Sequence, residues 1–164
     1  MPATPTTARS PTLLPTRTLT PDRLATWVTY TNSAYAVTLR HPATWAKDPR
    51  YTLPNQERYV GADGFFQVSA ASAPSLDVAA SNEANHPLHP YGAHPTITTV
   101  RFAGQDARLI LPSSDQPTEM AGQAALIVLS PKPIRLGSDS YAYLVLWADR
   151  GHIQDIASTL VAGG

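Results

Sequence analysis

The sequence predicts an α+β fold: an antiparallel sheet of about six to eight strands covered by two helices, one of them C-terminal. Three observations carry this. Short runs rich in aromatic and β-branched residues recur from Trp27 to Trp147, separated by turn-forming segments. Only Ser75–Asn85 and His152–Val161 place apolar residues at helical spacing. The strand-like runs cluster instead of alternating singly with helices, which favours hairpins over parallel crossovers.

The elements follow in chain order. Trp27–Tyr30 and Tyr35–Leu39 flank Thr31-Asn32-Ser33, whose turn chemistry makes the pair a hairpin. His41-Pro42 closes the second strand, because proline cannot continue a central ladder. Ala43–Lys47 is expected to form one helical turn with Trp45 as a core plug. Glu57–Val60 and Phe65–Ala71 form a second hairpin, with Gly61 and Gly64 available where φ must be positive. Ser75 can cap a helix running to Asn85, with Leu76, Ala79, Ala80 and Glu83 at helical spacing. A proline-rich loop, His86–Pro95, precedes strands Thr96–Phe102 and Ala107–Leu111 around the turn Ala103–Asp106. After the polar loop Pro112–Gly122, Ala124–Leu129 is a continuous apolar strand expected to be buried on both faces, stopped by Pro131-Lys132-Pro133. Tyr141–Trp147 is the last strand. His152–Val161 closes the chain as a helix with Ile153, Ile156, Leu160 and Val161 on one face, and Asp149 or Gly151 as its cap.

Composition narrows the function classes. The 164 residues suit one domain, assigned to residues 23–164. Twelve basic residues balance twelve acidic ones, with no basic stripe, which argues against a nucleic-acid partner. The absence of cysteine excludes disulfides, thiol nucleophiles and thiolate zinc sites. No apolar run approaches the ~18 residues of a membrane span. Pro and Thr make up twelve of residues 1–22, a composition expected to stay extended as a disordered tether. Such a tether commonly separates an anchor from an extracytoplasmic domain. No signal peptide is visible, so a signal or lipoprotein-like anchor is expected outside this chain.

Tyr35–Trp45, YAVTLRHPATW, resembles the opening of PsbP/Mog-type domains, where a strand ends in a Pro-x-x-Trp element that packs a Trp under the sheet. The stretches ERYVGADGFFQVSA, HPLHPYGAHPTI, GQDARLILPSSDQP, QAALIVLSPKPI and YLVLWADRGHI are similar to an extracytoplasmic domain of Gram-positive proteins labelled as BlaR-type membrane peptidases. The likeness spans about residues 27–161. It implies a binding or assembly module in an extracytoplasmic setting. The peptidase activity is not implied, since the chain has no H-E-x-x-H motif.

Candidate site residues gather in two loops. His41, His86, His89 and His94 all precede proline, which pushes their backbones toward extended conformations. The 86–95 loop therefore holds His86, His89 and His94, with Tyr91, on a stiff scaffold beside Glu83. Zinc is the one cofactor this set allows, through His86, His89 and His94, although their spacing fits no strong template. The plainer reading is a rigid surface loop whose histidines bond backbone carbonyls or cover a sheet edge. The second loop offers Ser113, Ser114, Asp115 and Gln116 at a strand end. Ser113 or Ser114 with a loop histidine and Asp115 would make a hydrolytic triad, but there is no G-x-S-x-G elbow. An Asx/Ser turn is the ordinary alternative.

Arg58, Arg101 and Arg108 lie in or beside strands, and Gln67 interrupts an apolar strand. Ion pairs with Asp63, Asp106 or Asp115 are expected for the arginines, with carboxylate or phosphate recognition as the alternative. Trp45 and Trp147 are expected in the core, and Trp27 exposed. Together these features favour a non-catalytic extracytoplasmic binding or sensor domain for a cell-envelope ligand or a protein partner. Its contact surface is expected at His86–His94 with Ser113–Gln116. A hydrolase or a metal-binding domain is the alternative.

Overall fold

The structure is a computed structural model that describes residues 25–53 and 55–163. The segment 1–22, read as a tether, lies outside the described residues. Strands β1 (Trp27–Asn32), β2 (Val37–Pro42), β3 (Ala46–Lys47), β4 (Arg58–Gly61) and β5 (Gly64–Ala71) precede helix α1 (Leu76–Ala84). Then come β6 (Thr96–Phe102), β7 (Gln105–Leu111), β8 (Gln123–Leu136), β9 (Asp139–Asp149), helix α2 (Ile153–Ser158) and β10 (Val161–Ala162). Seven strands form one antiparallel sheet in the order β3-β4-β5-β9-β8-β7-β6. The first hairpin does not join it. β1 and β2 make a separate sheet with β10.

Side-chain alternation gives the large sheet two buried faces. Ala124, Leu126 and Val128 of β8 share one face with Leu144, Leu146 and Ala148 of β9, and the small sheet and α2 pack against it. Ala125, Ile127, Tyr143 and Val145 face the other way, toward Ala79, Ala80 and Ala84 of α1. The three alanines let α1 lie close to the sheet, and Ser75 Oγ caps it by accepting from Val78 N at 3.2 Å.

Several expectations are corrected. Ala43–Lys47 is not a helical turn; Trp45 N donates to Pro42 O at 3.0 Å in a tight turn, and Ala46-Lys47 pairs with β4. Trp45 itself is buried, as a plug should be. Pro131-Lys132-Pro133 does not stop β8. The register slips between Leu129 and Ile134, so the prolines fall where no ladder bond is required and pairing resumes to Leu136. The last helix ends at Ser158. Val161 is 60% exposed and pairs with Thr38 of β2 instead of joining Ile153, Ile156 and Leu160 in the core. Trp27 is buried at 8% exposure, because β1 lays it against the core that α2 and the large sheet share.

Gly61 and Gly64 serve space and not a positive φ. A Cβ on Gly64 would lie 2.8 Å from Trp45 Cζ2 and 2.7 Å from Asp149 Cγ. Asp149 does not cap α2, whose N-cap is His152. Its carboxylate instead accepts from Gly151 N at 3.0 Å and lies 2.8 Å from His152 Nδ1, while His152 Nε2 lies 3.5 Å from Asp63.

Candidate functional site

The lengths of α1 and of the sheet create the site. Nine residues of helix span about 14 Å, the width of roughly three strands. Helix α1 packs over β6, β7 and β8 and reaches Tyr143 and Val145 of β9, so β4, the Gln67 region of β5 and the Trp147 end of β9 stay open on the same face. Register then decides what lies there. Arg58 pairs with Gln67, Gln67 with Trp147, Trp147 with Ala125 and Ala125 with Ile110. One row across the sheet is therefore apolar beneath the helix and polar beyond it.

A cleft of about 260 Å³ opens over the polar half. Arg58, Gln67, Gln123 and Trp147 line it from the sheet, Glu83 from the end of α1, and His86, Leu88 and Pro90 from the following loop. Tyr51 and Met120 complete its rim. A second cleft, of about 350 Å³ beside Tyr35, Asn55 and Tyr141, shares Gln67 and Trp147 with it.

Glu83 is the electrostatic centre. It sits in the last turn of α1, where the helix dipole disfavours an anion. Two donors hold it there: Tyr91 OH at 2.5 Å and Trp147 Nε1 at 2.7 Å, both on Oε1. Oε2 has no protein donor among the described residues. Burial, then the charge of Glu83, pushes the Tyr91 hydroxyl far above the usual phenol range, so it remains a donor.

Gln67 is 7% exposed, and what remains accessible opens on the cleft: its amide has no protein hydrogen-bond partner among the described residues, but neither of its polar atoms is sealed from solvent. Arg58 is half-buried and also has no hydrogen bond or salt bridge there. Its guanidinium lies 3.8 Å from the Phe65 ring centroid and 5.6 Å from that of Tyr51. The adjacent Glu57 is taken by Lys47 at 2.6 Å, and Asp48, whose carboxyl Arg58 helps to hold down through its charge alone, is bonded by Arg50 at 2.7 Å. The other two arginines do form pairs: Arg101 with Asp106 at 3.0 Å, as expected, and Arg108 with Asp77 at 2.7 Å.

The structure brings the 86–95 loop against 113–116. Ser113 N donates to Tyr91 O at 2.9 Å, and Ser113 Oγ accepts from His94 N at 3.2 Å. Asp115 accepts from Ala93 N at 3.2 Å, and from the Ser113 hydroxyl. Those bonds hold the Asp115 carboxyl below its usual range, with the Ser113 hydroxyl the largest cause. Gly92, at φ +83, passes so close that a Cβ would lie 3.2 Å from Gln116 N. Gln116 Nε2 donates to Pro90 O at 2.6 Å and Gln123 O at 3.0 Å, and Oε1 accepts from Gly122 N at 2.8 Å. Ser114 is exposed beside this turn.

Ser113 thus donates straight to a carboxylate, with no imidazole between them, which is the order of a turn and not of a triad. His86 Nδ1 accepts from Leu88 N at 3.2 Å. His89 departs from the extended conformation expected before proline, with φ +46 in the turn where its N–H bonds His86 O. His94 is exposed at the loop's far end. Among the described residues no three His, Asp or Glu side chains gather closely enough to hold a metal ion, so His86, His89 and His94 are not assembled as a zinc set.

Sequence reasoning singled out Arg58 and Gln67 but placed neither at the site, and it put Trp147 in the core. The usable signal was an amide and a guanidinium in apolar strands. What it lacked was the pairing of residues 58, 67 and 147.

Fold and cleft together define an antiparallel α+β domain whose large sheet carries a polar cleft over β4, β5 and β9. No protein-family model matches the chain, nor does any curated protein. Among solved structures the chain is similar to the solution structure of cyanobacterial PsbP (CyanoP) from Synechocystis sp. PCC 6803, at 11% identity and a TM-score of 0.45, covering 85% of this chain and 94% of that one. No residue's role follows from a likeness of that degree.

Proposed function

We propose that this chain is a non-catalytic binding domain whose recognition site is the cleft over β4, β5 and β9. The observation that carries the reading is Gln67. It is the residue of an apolar strand whose amide opens on the cleft with no protein partner among the described residues, so its donors and acceptor are left for whatever enters. Glu83, set against the helix dipole and only partly engaged, supports the same site. The His86–Pro90 segment of the loop forms one wall of the cleft, while Ser113, Asp115 and Gln116 hold that loop in place. The wider reading is an extracytoplasmic binding or sensor domain for a cell-envelope ligand or a protein partner. It rests on the Pro/Thr composition of residues 1–22 and on the BlaR-type resemblance.

A ¹H–¹⁵N correlation spectrum recorded against a library of small polar fragments tests the site. Fragments that bind are expected to move the Trp147 indole and Gln67 side-chain signals together. A folded protein in which no fragment moves either signal would end this reading.

A further inference from the structure

Resting on that reading of the cleft, we infer that its ligand is a short zwitterionic peptide of about dipeptide size. Its carboxylate meets Arg58, its peptide group meets Gln67, and its ammonium meets Glu83.

Charge gives the first argument. The cleft holds one guanidinium with no carboxylate hydrogen-bonded to it, Asp48 acting on it by charge while bonded to Arg50, and one carboxylate with an unused oxygen. A simple anion satisfies Arg58 and meets repulsion at Glu83; a simple cation does the reverse. A ligand complementary to both carries separated charges that sum to zero.

Geometry gives the second. Arg58 and Trp147 flank Gln67 on adjacent strands, so their backbones stand about 10 Å apart. Glu83 is fixed at the Trp147 end by the indole N–H. A single amino acid carries both charges on one carbon, too close together to reach both ends. An extended chain advances about 3.5 Å per residue, so two residues place their termini within reach of the two side chains. The cleft volume of about 260 Å³ equals roughly nine water-sized groups, the scale of the smallest dipeptides.

Each contact has its own chemistry. The Phe65 ring holds the guanidinium plane in position for the two parallel bonds a carboxylate accepts. A glutamine amide is itself a peptide group, and it donates to and accepts from a peptide bond in one plane. The Trp147 ring beside Glu83 gives an ammonium an aromatic face as well as a counter-charge. Leu88, Pro90 and Met120 leave apolar wall for small side chains only.

The test is a titration of the full chain, read at the Trp147 indole and Gln67 amide signals. The ligands are alanyl-alanine, its N-acetyl form, its C-terminal amide, and free alanine. Alanyl-alanine is expected to bind saturably, and each capped form and free alanine about tenfold or more weakly. Arg58→Gln is expected to weaken alanyl-alanine about tenfold while leaving the amide form unchanged. The inference is overturned if alanyl-alanine moves neither signal at about 10 mM, or if the capped forms or alanine bind equally well. Because the ligand series uses the unaltered protein, it decides the matter even if a variant fails to fold. Fragments that still bind in the cleft when the dipeptide does not would remove the peptide assignment and leave the binding site standing; if nothing binds, both fall.

Discussion

Replacing Gln116 by alanine separates a positioning role from a recognition role. Its side chain bonds three backbone groups: Pro90 O in the loop that walls the cleft, Gln123 O at the start of β8, and Gly122 N between them. Three bonds at about 1 kcal/mol each set an upper value near 3 kcal/mol. Water replaces part of this at a half-buried position, and freeing a long side chain returns up to about 1 kcal/mol of entropy. A loss of about 2 kcal/mol remains. At roughly 4 °C per kcal/mol for a domain of this size, the melting midpoint should fall by about 8 °C. Denaturant unfolding gives the free energy, and hydrogen exchange at the Gly122 amide should accelerate with it. If Gln116→Ala melts within about 1 °C of the parent, the residue does not hold the loop and the argument fails. If stability is unchanged but ligand binding is lost, Gln116 belongs to the contact surface, as the sequence alone implies.

Further outcomes follow from individual side chains. His41 is buried against Tyr59 and Phe66, and burial lowers its pKa below the ordinary value near 6.5. The unfolded chain therefore takes up its proton first, so this contribution to stability is complete above about pH 6.5 and declines as pH falls toward the folded value. Urea midpoints for wild type and His41→Phe at about pH 7.5 and 5.5 should show a smaller fall in the variant; equal falls would contradict the assignment. Asp48 is held at about 2, first by the Arg50 side-chain bond, so its contribution is present above the ordinary carboxylate range and vanishes as acid carries the pH down through about 2. Asp48→Asn should flatten the acid limb of the stability profile, and an unchanged limb would show that the pair does not matter. Gly64→Ala drives a Cβ toward Trp45 and Asp149 and should cost about 2–3 kcal/mol in denaturant unfolding. A loss below about 0.5 kcal/mol would mean that the corner relaxes freely.

Much of the fold was legible because strands and turns are written locally. The hairpin around Gly61–Gly64 and the cap at Ser75 stand where residue chemistry places them, and the first hairpin forms too, although its turn lies at Ser33–Ala36 because Thr31 and Asn32 pair with Thr38 and Val37. The misreadings share one cause, a local rule overridden by tertiary placement. Pro131 and Pro133 stop a strand unless a register slip removes the need for their N–H groups. Val161 continues an apolar helix face until β2 offers it a ladder. The site was legible in part. The 86–95 and 113–116 loops do meet, but Ser113, Asp115 and Gln116 spend their polar atoms on the loop itself.

By itself the sequence determined the α+β class, the antiparallel pairing of neighbouring strands and the alternation that buries both faces of the central strands, since these depend on residues a few positions apart. Only the tertiary structure decided that Arg58, Gln67 and Trp147 stand in one row and that a nine-residue helix stops short of them. Those facts come from strand order and from the width of the sheet relative to the length of the helix. Neither is encoded in any single stretch of chain.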